Sequence, residues 1–302
     1  MRMPFPYFGG KFKIGATIWS MIGNVPNYIE PFCGSAAVLL ARPSAPKTET
    51  INDIDGLLVN ALRAIQWEPE KTAYWADYPV TEIDYNCRHA WLRDQRHTIT
   101  DKLKTVPLYC DPQAAGWWIW GANLKIGGRW CYDENKEIPH LGDPGKGVNR
   151  TTLPHLGNPG TGVKLLPWFY ELQRRLSRTR ILCGDWQRCL TPSVTTKLGL
   201  TGVYLDPPYE GYHESLYSEN NDVFGEVVAW CKENQDNPQF RIILSSYSNA
   251  EALKELTGWR TWAWHASKGY QKSNQGDHTG KKEILMISPN CLGTTLFEAV
   301  NE

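Results

Sequence analysis

The chain has no excess of charge of either sign and no long apolar run. Its 302 residues include 32 Lys and Arg and 32 Asp and Glu, so the formal net charge is zero. This balance argues against a protein that holds nucleic acid by bulk charge, although it permits a local basic groove. The N-terminus carries no apolar signal-peptide region, and no segment reaches the length that crosses a bilayer. We therefore expect a soluble, cytoplasmic protein without a membrane partner.

Cysteine pairs at metal-binding spacing are also missing. The eight cysteines, at positions 33, 87, 110, 131, 183, 189, 231 and 291, include no Cys-x-x-Cys pair. This pattern favours reduced, mostly buried thiols of an intracellular chain. A zinc site built from Cys110, Cys131, His140 and His155 would have irregular ligand spacing, so no metal is predicted.

Two phosphate-binding motifs are absent as well. Gly9-Gly10-Lys11 is followed by Phe12 instead of Ser or Thr, which excludes a P-loop. The stretch Cys33-Gly34-Ser35-Ala36-Ala37 has a single glycine, whereas a dinucleotide pyrophosphate requires spaced glycines. Phosphoryl transfer and dinucleotide chemistry are therefore disfavoured.

A strand that ends in reactive groups is present at residues 203–209, Val203-Tyr204-Leu205-Asp206-Pro207-Pro208-Tyr209. Its apolar start fits the centre of a parallel sheet, and the two prolines end the hydrogen-bond ladder at Asp206. The same four final residues are also compatible with a simple turn in which Asp206 caps a helix.

These four residues have the chemistry to activate an exocyclic amine. The nitrogen of a nucleobase amine is a poor nucleophile because its lone pair is delocalised into the ring. The Asp206 carboxylate and the Pro207 carbonyl can accept its two N–H groups and so favour the pyramidal form. Pro207 and Pro208 fix the backbone that aims this carbonyl, and Tyr209 offers a face for base stacking.

Candidate cofactor-binding residues precede this strand. In Tyr7-Phe8-Gly9-Gly10-Lys11, the glycines permit close backbone approach, Lys11 can meet a carboxylate and Tyr7 can cover an apolar group. Residues 28–32 predict the first strand, followed by a small-residue turn and a helix start that suits a nucleoside. Asp53, at the end of the second strand, suits a ribose hydroxyl pair, while Asp55 is equally suited to cap a helix over residues 56–65.

In this order, the motifs resemble the Dam-type, or alpha-group, DNA adenine-N6 methyltransferases. The resemblance covers residues 7–66 and 180–209. The segments that carry it are Phe8-Gly9-Gly10-Lys11, Glu30-Pro31-Phe32-Cys33-Gly34, Asn52-Asp53, Gly184-Asp185-Trp186 and Asp206-Pro207-Pro208-Tyr209. It implies an α/β fold with a Rossmann-like, mostly parallel sheet. It further implies direct methyl transfer from S-adenosylmethionine to an adenine flipped out of double-stranded DNA.

The resemblance also implies contacts along the whole cofactor. Asp53 would hold the ribose, Asp185 the adenine, and Lys11 the methionine part. One departure is Ala36, where the closest family members carry a second glycine, so the path of the loop after the first strand stays open. The complete set of implied cofactor residues is Tyr7, Gly10, Lys11, Glu30, Phe32, Gly34, Asp53 and Asp185.

Residues 67–179 are predicted to form an inserted, loop-rich target-recognition domain within a catalytic domain of residues 1–66 and 180–302. Aromatic clusters, Gly-rich turns and few long apolar periods support this division. Residues 114–129 resemble a diverged form of the family's target-recognition segment. Trp117, Trp118 and Trp120 in this segment favour packing over base stacking.

DNA contacts are predicted from three polar residues of the same segment. Asn123 and Arg129 can each form bidentate contacts to purine edges, and Lys125 suits a phosphate. Residues 139–148 recur as residues 154–163, which predicts two similar loops that either reach over DNA or lie on the surface without contact.

The remaining segments complete the predicted α/β fold. Helices are expected at 168–180 and 223–231, strands at 241–246 and 283–287, and a mobile loop near the DNA at 267–282. Residues 210–221 are expected to form a loop that either closes over the extruded base or is an ordinary surface crossover. We expect a monomer or weak dimer, with a separate cognate nuclease of a restriction-modification system as a possible partner. An N4-cytosine methyltransferase and a catalytically silent DNA-binding protein are the alternatives that the sequence leaves open.

Overall fold

The protein is described by a computed structural model, which covers residues 1–5, 7, 11–78, 81–124, 130–131, 165–208, 222–264 and 283–293. Within these residues the chain forms one sheet of seven strands, in the order β3-β2-β1-β4-β5-β7-β6. The strands are β1 (Asn27–Glu30), β2 (Thr48–Asp53), β3 (Thr179–Cys183), β4 (Thr201–Leu205), β5 (Phe240–Tyr247), β6 (Arg260–Ala263) and β7 (Glu283–Ile287).

Strand direction follows the expected Rossmann-like arrangement. β1 pairs in parallel with β2 and β4, and β4 pairs in parallel with β5. β7 is antiparallel to both β5 and β6. The carboxyl ends of β1, β4 and β5 therefore meet at one edge of the sheet, which is where ligands bind in open α/β folds. The predicted fold class is confirmed.

Eight α-helices occur in the described part of the chain. They are α1 (Gly15–Ile22), α2 (Ala37–Leu40), α3 (Gly56–Trp67), α4 (Pro69–Ala76), α5 (Glu82–Thr105), α6 (Pro112–Leu124), α7 (Leu165–Leu176) and α8 (Val223–Asn234). None of the helices in the ranges given above is long and apolar enough to cross a membrane.

The chain divides into two compact units. The first unit comprises Met1–Gly10 and Asn52–Asp185, and the second comprises Lys11–Ile51 and Trp186–Glu302. The sequence-based domain limits of 1–66, 67–179 and 180–302 stay a prediction.

The first unit is built mainly from helices. α6 packs against α3, α4 and α5. Arg88 of α5 is only 6% exposed, and its guanidinium lies over the rings of Trp120 at 4.3 Å, Tyr78 at 5.0 Å and Trp117 at 5.5 Å. Trp118 is also buried and contacts Phe5 edge-on. The described tryptophans of this segment therefore pack the first unit, as the sequence favours.

The segment 67–179 differs from the loop-rich expectation. Its described residues form α4, α5, α6 and α7, because their apolar side chains recur at helical spacing and are buried against one another. The repeat at 139–148 and 154–163 lies outside the described residues, as do Lys125 and Arg129.

The helix predicted at 168–180 is wrong at its C-terminal end. α7 ends at Leu176, and β3 begins at Thr179. The buried Gln66 side chain supplies the physical reason, since its Nε2 donates to the carbonyls of Leu176 at 2.6 Å and Thr179 at 2.9 Å. These hydrogen bonds hold carbonyls that a continuing helix would pair internally.

The second unit contains the central strands. β4 is buried along its whole length, and α1 packs closely against it. A Cβ atom at Gly202 of β4 would lie 2.6 Å from Cγ2 of Ile22 in α1, so only glycine fits this contact. The other predicted helix and strands of this unit, at 223–231, 241–246 and 283–287, match α8, β5 and β7.

All eight cysteines lie within the described residues and are free thiols. Six of them are buried, Cys110 is half-buried, and Cys87 on α5 is exposed. The expectation that most thiols are buried is confirmed.

Candidate active site

Glu30 ends β1 and is 2% exposed. The same carboxyl oxygen, Oε2, accepts from the Tyr28 hydroxyl at 3.2 Å and from the Leu39 backbone N–H at 3.1 Å. Burial raises the pKa of Glu30 from 4.5 to about 8, because the two hydrogen bonds only partly offset the loss of water. Glu30 is therefore mainly protonated at neutral pH.

The turn between β1 and α2 has two residues with left-handed backbone, Gly34 at φ +46° and Ala36 at φ +49°. This conformation costs a glycine little and costs an alanine about 1 kcal/mol. The helix α2 has only four residues, and the backbone N–H of its third residue, Leu39, already donates to Glu30. The N-terminus of this short helix is therefore not assigned to a ligand. Gly34 permits close backbone approach at the turn itself.

Asp206 directly follows β4 and forms an ion pair with Lys11, with 2.9 Å between Nζ and Oδ2. The Lys11 side chain is 4% exposed and that of Asp206 is 21% exposed. A buried ammonium requires a counter-charge, which Asp206 supplies. The partly exposed carboxylate remains within reach of solvent. Lys11 was predicted to meet a cofactor carboxylate, and that contact stays a prediction beside the observed ion pair.

Tyr28, Glu30, Tyr204 and Asp206 belong to one face of the sheet. Tyr28 pairs with Gly202 in the β1–β4 ladder, and side chains on a strand alternate between faces. Burial raises the pKa of the Tyr28 and Tyr204 hydroxyls well above 10, so both stay protonated. The Tyr204 hydroxyl lies 2.7 Å from the Ser245 hydroxyl of β5.

Three further predicted residues of the second unit follow these strands. Phe32 stacks on Trp186, with ring centroids 5.8 Å apart and planes inclined by 30°. Pro207 is buried and Pro208 is half-buried. Neither proline has an N–H that would compete with a ligand for the carbonyl groups.

In the first unit, the ends of β2 and β3 are joined by hydrogen bonds. Asn52 Nδ2 donates to the Gly184 carbonyl at 2.9 Å, and the Gly184 N–H donates to the Asp53 carbonyl at 3.0 Å. Asp53 is 9% exposed, and Asp185 is exposed. These hydrogen bonds fix the backbone at Asp53 and next to Asp185, the two residues whose carboxylates are predicted to bind the cofactor.

Asp55 caps α3. Its Oδ1 accepts from the Leu57 N–H at 3.1 Å, and its own N–H donates to Asp53 Oδ1 at 3.0 Å. The capping role that the sequence offered for Asp55 is confirmed. Asp53 is thereby also held by local hydrogen bonding.

The predicted DNA residue Asn123 has an internal role. Its Nδ2 donates to the carbonyls of Pro4 and Ile119, both at 2.8 Å. A bidentate purine contact needs one amide donor and the amide oxygen, so one of these bonds would have to open. Its DNA contact stays a prediction. Tyr7 is half-buried, while Gly10 and Tyr209 lie outside the described residues.

Sequence reasoning missed two residues near Asp206. Ser245 on β5 bonds the Tyr204 hydroxyl, and Glu283 begins β7. The available signal was a single acidic residue at the start of the apolar strand Glu283-Ile284-Leu285-Met286-Ile287. The pairing between β5 and β7, which brings Glu283 to this edge, is not visible in the sequence.

The sheet order, together with acidic residues at the carboxyl ends of β1 and β4, is consistent with a Rossmann-like methyltransferase fold. Residues 7–98 match the family model described as D12 class N6 adenine-specific DNA methyltransferase. A search among curated proteins gives no match. The resemblance to DNA adenine-N6 methyltransferases is confirmed over residues 7–98. The finding does not support the N4-cytosine alternative, and it implies a methyl donor and a DNA substrate.

Proposed function

We propose that the enzyme transfers a methyl group directly from S-adenosylmethionine to a flipped adenine in duplex DNA, with Asp206 holding the target amine. The observation that carries the proposal is the position of Asp206, directly after a fully buried strand, anchored by Lys11 and still partly exposed. A carboxylate held in this way has its orientation set before substrate arrives, which is the main electrostatic contribution to catalysis.

The residues after β4 have separate roles in binding the amine. Asp206 accepts one N–H, the Pro207 carbonyl accepts the other, and the nitrogen lone pair is freed from the ring. The surplus proton leaves through Asp206 or water. Pro208 keeps the segment extended, and Tyr209, proposed from the resemblance, stacks on the base.

The second unit suits the sulfonium part of the proposed donor. Gly34 permits close backbone approach, and the Asp206 carboxylate lies on the same sheet face as the mainly protonated Glu30. When bound, S-adenosylmethionine supplies an electrophilic methyl group on a positively charged sulfur. Lys11, Glu30, Phe32 and Gly34 are the proposed contacts in this unit. In the first unit, Tyr7, Gly10, Asp53 and Asp185 are proposed from the resemblance.

DNA recognition is proposed to involve Asn123, Lys125 and Arg129. The resemblance of residues 114–129 to a target-recognition segment supports this role. The polar donors of these side chains match purine edges and phosphates. A cognate nuclease encoded separately is proposed on the same resemblance.

The decisive experiment combines a product assay with one substitution. Labelled S-adenosylmethionine and unmethylated duplex DNA should yield N6-methyladenine after nucleoside digestion. Asp206→Ala should reduce turnover by at least about 10²–10³-fold, because the amine loses its charged acceptor, while donor binding measured by calorimetry largely survives.

Asp222→Asn is the matched control. Asp222 is an exposed aspartate of the same unit whose side chain caps α8 by accepting from the Gly225 N–H, and asparagine caps equally well. This variant should retain turnover. Near-native turnover of Asp206→Ala, or a product other than N6-methyladenine, would overturn the proposal.

A further inference from the structure

Glu283 lies on the same sheet face and at the same sheet edge as Asp206. Tyr204 of β4 pairs with Ile243 of β5, and its hydroxyl meets Ser245, two residues further along the same face. Across the β5–β7 ladder, Tyr247 pairs with Glu283. Because faces alternate along each strand, Asp206 and Glu283 both extend from this face beyond the Tyr204–Ser245 contact.

The Glu283 carboxyl is held in a costly position. Its Oε2 is buried and has no hydrogen-bond partner among the described residues. An unpaired buried carboxyl oxygen is destabilising, so its presence beside a reaction site needs a reason other than stability. The side chain is half-buried as a whole.

Glu283 interacts electrostatically with the charged groups of the reaction site. Burial raises the pKa of Glu283, Lys11 lowers it and Asp206 raises it again. Glu283 in turn contributes to the raised pKa of the Tyr204 hydroxyl. These interactions connect Glu283 with both members of the Lys11–Asp206 ion pair.

The electrostatic problem at this site comes from Lys11. The target amine becomes positively charged as it takes the methyl group, and Asp206 is the proposed acceptor for its N–H. An ammonium 2.9 Å from Asp206 opposes that developing charge. Glu30 is mainly protonated at neutral pH and offsets little of it. A second ionised carboxylate near Lys11 would restore a net negative charge.

We propose that Glu283 is a positioning residue for methyl transfer, whose carboxylate offsets the charge of the Lys11 ammonium through space and lets Asp206 engage the target amine. The inference rests on the proposed role of Asp206. Glu283 acts through Lys11, forms no bond to the substrate and takes up no proton during the reaction. Its effect is on the charge that the amine meets in the transition state.

The test is Glu283→Gln, which keeps the shape of the side chain and removes its charge. Steady-state methyl transfer from labelled S-adenosylmethionine to unmethylated duplex DNA should show kcat reduced about 10–100-fold. KM for donor and DNA should change little, because Glu283 contacts neither. Native kcat in Glu283→Gln would overturn the inference.

The pH dependence separates this role from a structural one. Below its raised pKa, Glu283 is protonated and resembles glutamine, so the rates of wild type and Glu283→Gln should converge at acid pH. Their ratio should grow as the pH rises through that pKa and then level off. Among the described residues, the groups that face Glu283 are Lys11, Asp206, Tyr204 on β4 and Tyr247 on β5. Trp264, which follows β6 and donates its N–H to the Glu283 carbonyl, does not titrate.

Two variants control this experiment. Glu283→Asp retains the carboxylate and should recover most of the lost kcat. Glu49→Gln removes another buried glutamate of the same unit, which is paired with Arg42 at 3.2 Å. It should lower the melting temperature while its rate ratio to wild type stays constant with pH. A pH-independent ratio for Glu283→Gln would likewise overturn the inference.

The outcomes also separate this inference from the function on which it rests. If Asp206→Ala is inactive while Glu283→Gln keeps the native kcat, only the proposed role of Glu283 is overturned. Active Asp206→Ala removes the proposed mechanism as well. If Glu283→Gln does not fold, Glu283→Asp provides the test. Because this variant displaces the carboxylate, the midpoint of its pH–rate profile must differ from that of wild type. An unchanged midpoint overturns the inference.

Discussion

At the scale of single residues, Glu30 shows how burial changes the charge of a side chain that the sequence presents as an ordinary glutamate. Its pKa is raised to about 8 by burial at the end of β1. The folded protein therefore binds this proton more tightly than the unfolded chain. Stability from Glu30 is complete at acid pH and is lost as the pH rises from about 4.5 to above about 8.

Glu30→Gln should abolish this loss, because glutamine does not ionise. Relative to wild type, the free energy of unfolding of the variant should rise by about 4 kcal/mol between about pH 5 and about pH 9. Urea denaturation of both proteins at several pH values measures this difference. Glu49→Gln, which breaks an ion pair with Arg42, should destabilise at neutral pH instead. A pH-independent difference for Glu30→Gln would contradict the assignment of the raised pKa.

Some residue roles could be predicted because their signal is local. Asp206 is marked by the prolines after it, and Asp55 by its place before a helix. The partner of Lys11 could not be predicted, because Asp206 is far away along the chain and joins it only after folding. Sequence reasoning assigned Lys11 to a ligand since it had no means to find the internal carboxylate.

At the scale of elements, the turn between β1 and α2 holds an alanine where a glycine fits better. Ala36 has φ +49°, which its Cβ disfavours. The sequence marked Ala36 as a departure from the family but could not supply its backbone angle. The structure shows that the chain keeps the left-handed turn despite the missing glycine.

Ala36→Gly should cost less than about 1 kcal/mol, because relief of backbone strain offsets much of the added freedom of the unfolded chain and of the loss of a buried methyl group. Chemical denaturation at fixed pH measures the change. Ala90→Gly, at an exposed position inside α5, is the control and should cost about 1 kcal/mol. A loss of about 2 kcal/mol or more in Ala36→Gly would show that the turn carries no strain.

The junction between α7 and β3 shows why element ends are harder to predict than their presence. The apolar positions and the arginines favour one helix over residues 168–180. Gln66, which lies more than a hundred residues earlier, ends that helix by bonding the Leu176 and Thr179 carbonyls. No local pattern contains this information.

At the scale of the whole molecule, strand types were predictable while strand neighbours were not. The apolar runs near 28, 203, 241 and 283 became strands, since their residues suit a buried sheet. The antiparallel insertion of β7 between β5 and β6 depends on tertiary packing. Glu283 belongs to the reaction edge only because of that insertion, which is why sequence reasoning passed over it.

The distribution of thiols over the molecule has a practical consequence. Of the eight cysteines, Cys87 alone is exposed, and burial raises the pKa of the half-buried Cys110. Maleimide dyes should therefore attach rapidly to one site on α5 of the native protein, and mass spectrometry should find Cys87 as that site. Loss of this fast phase in Cys87→Ser would confirm it, whereas several fast-reacting thiols would contradict the burial. The unmodified chain thus offers a single attachment point for a fluorophore that reports DNA encounter in real time.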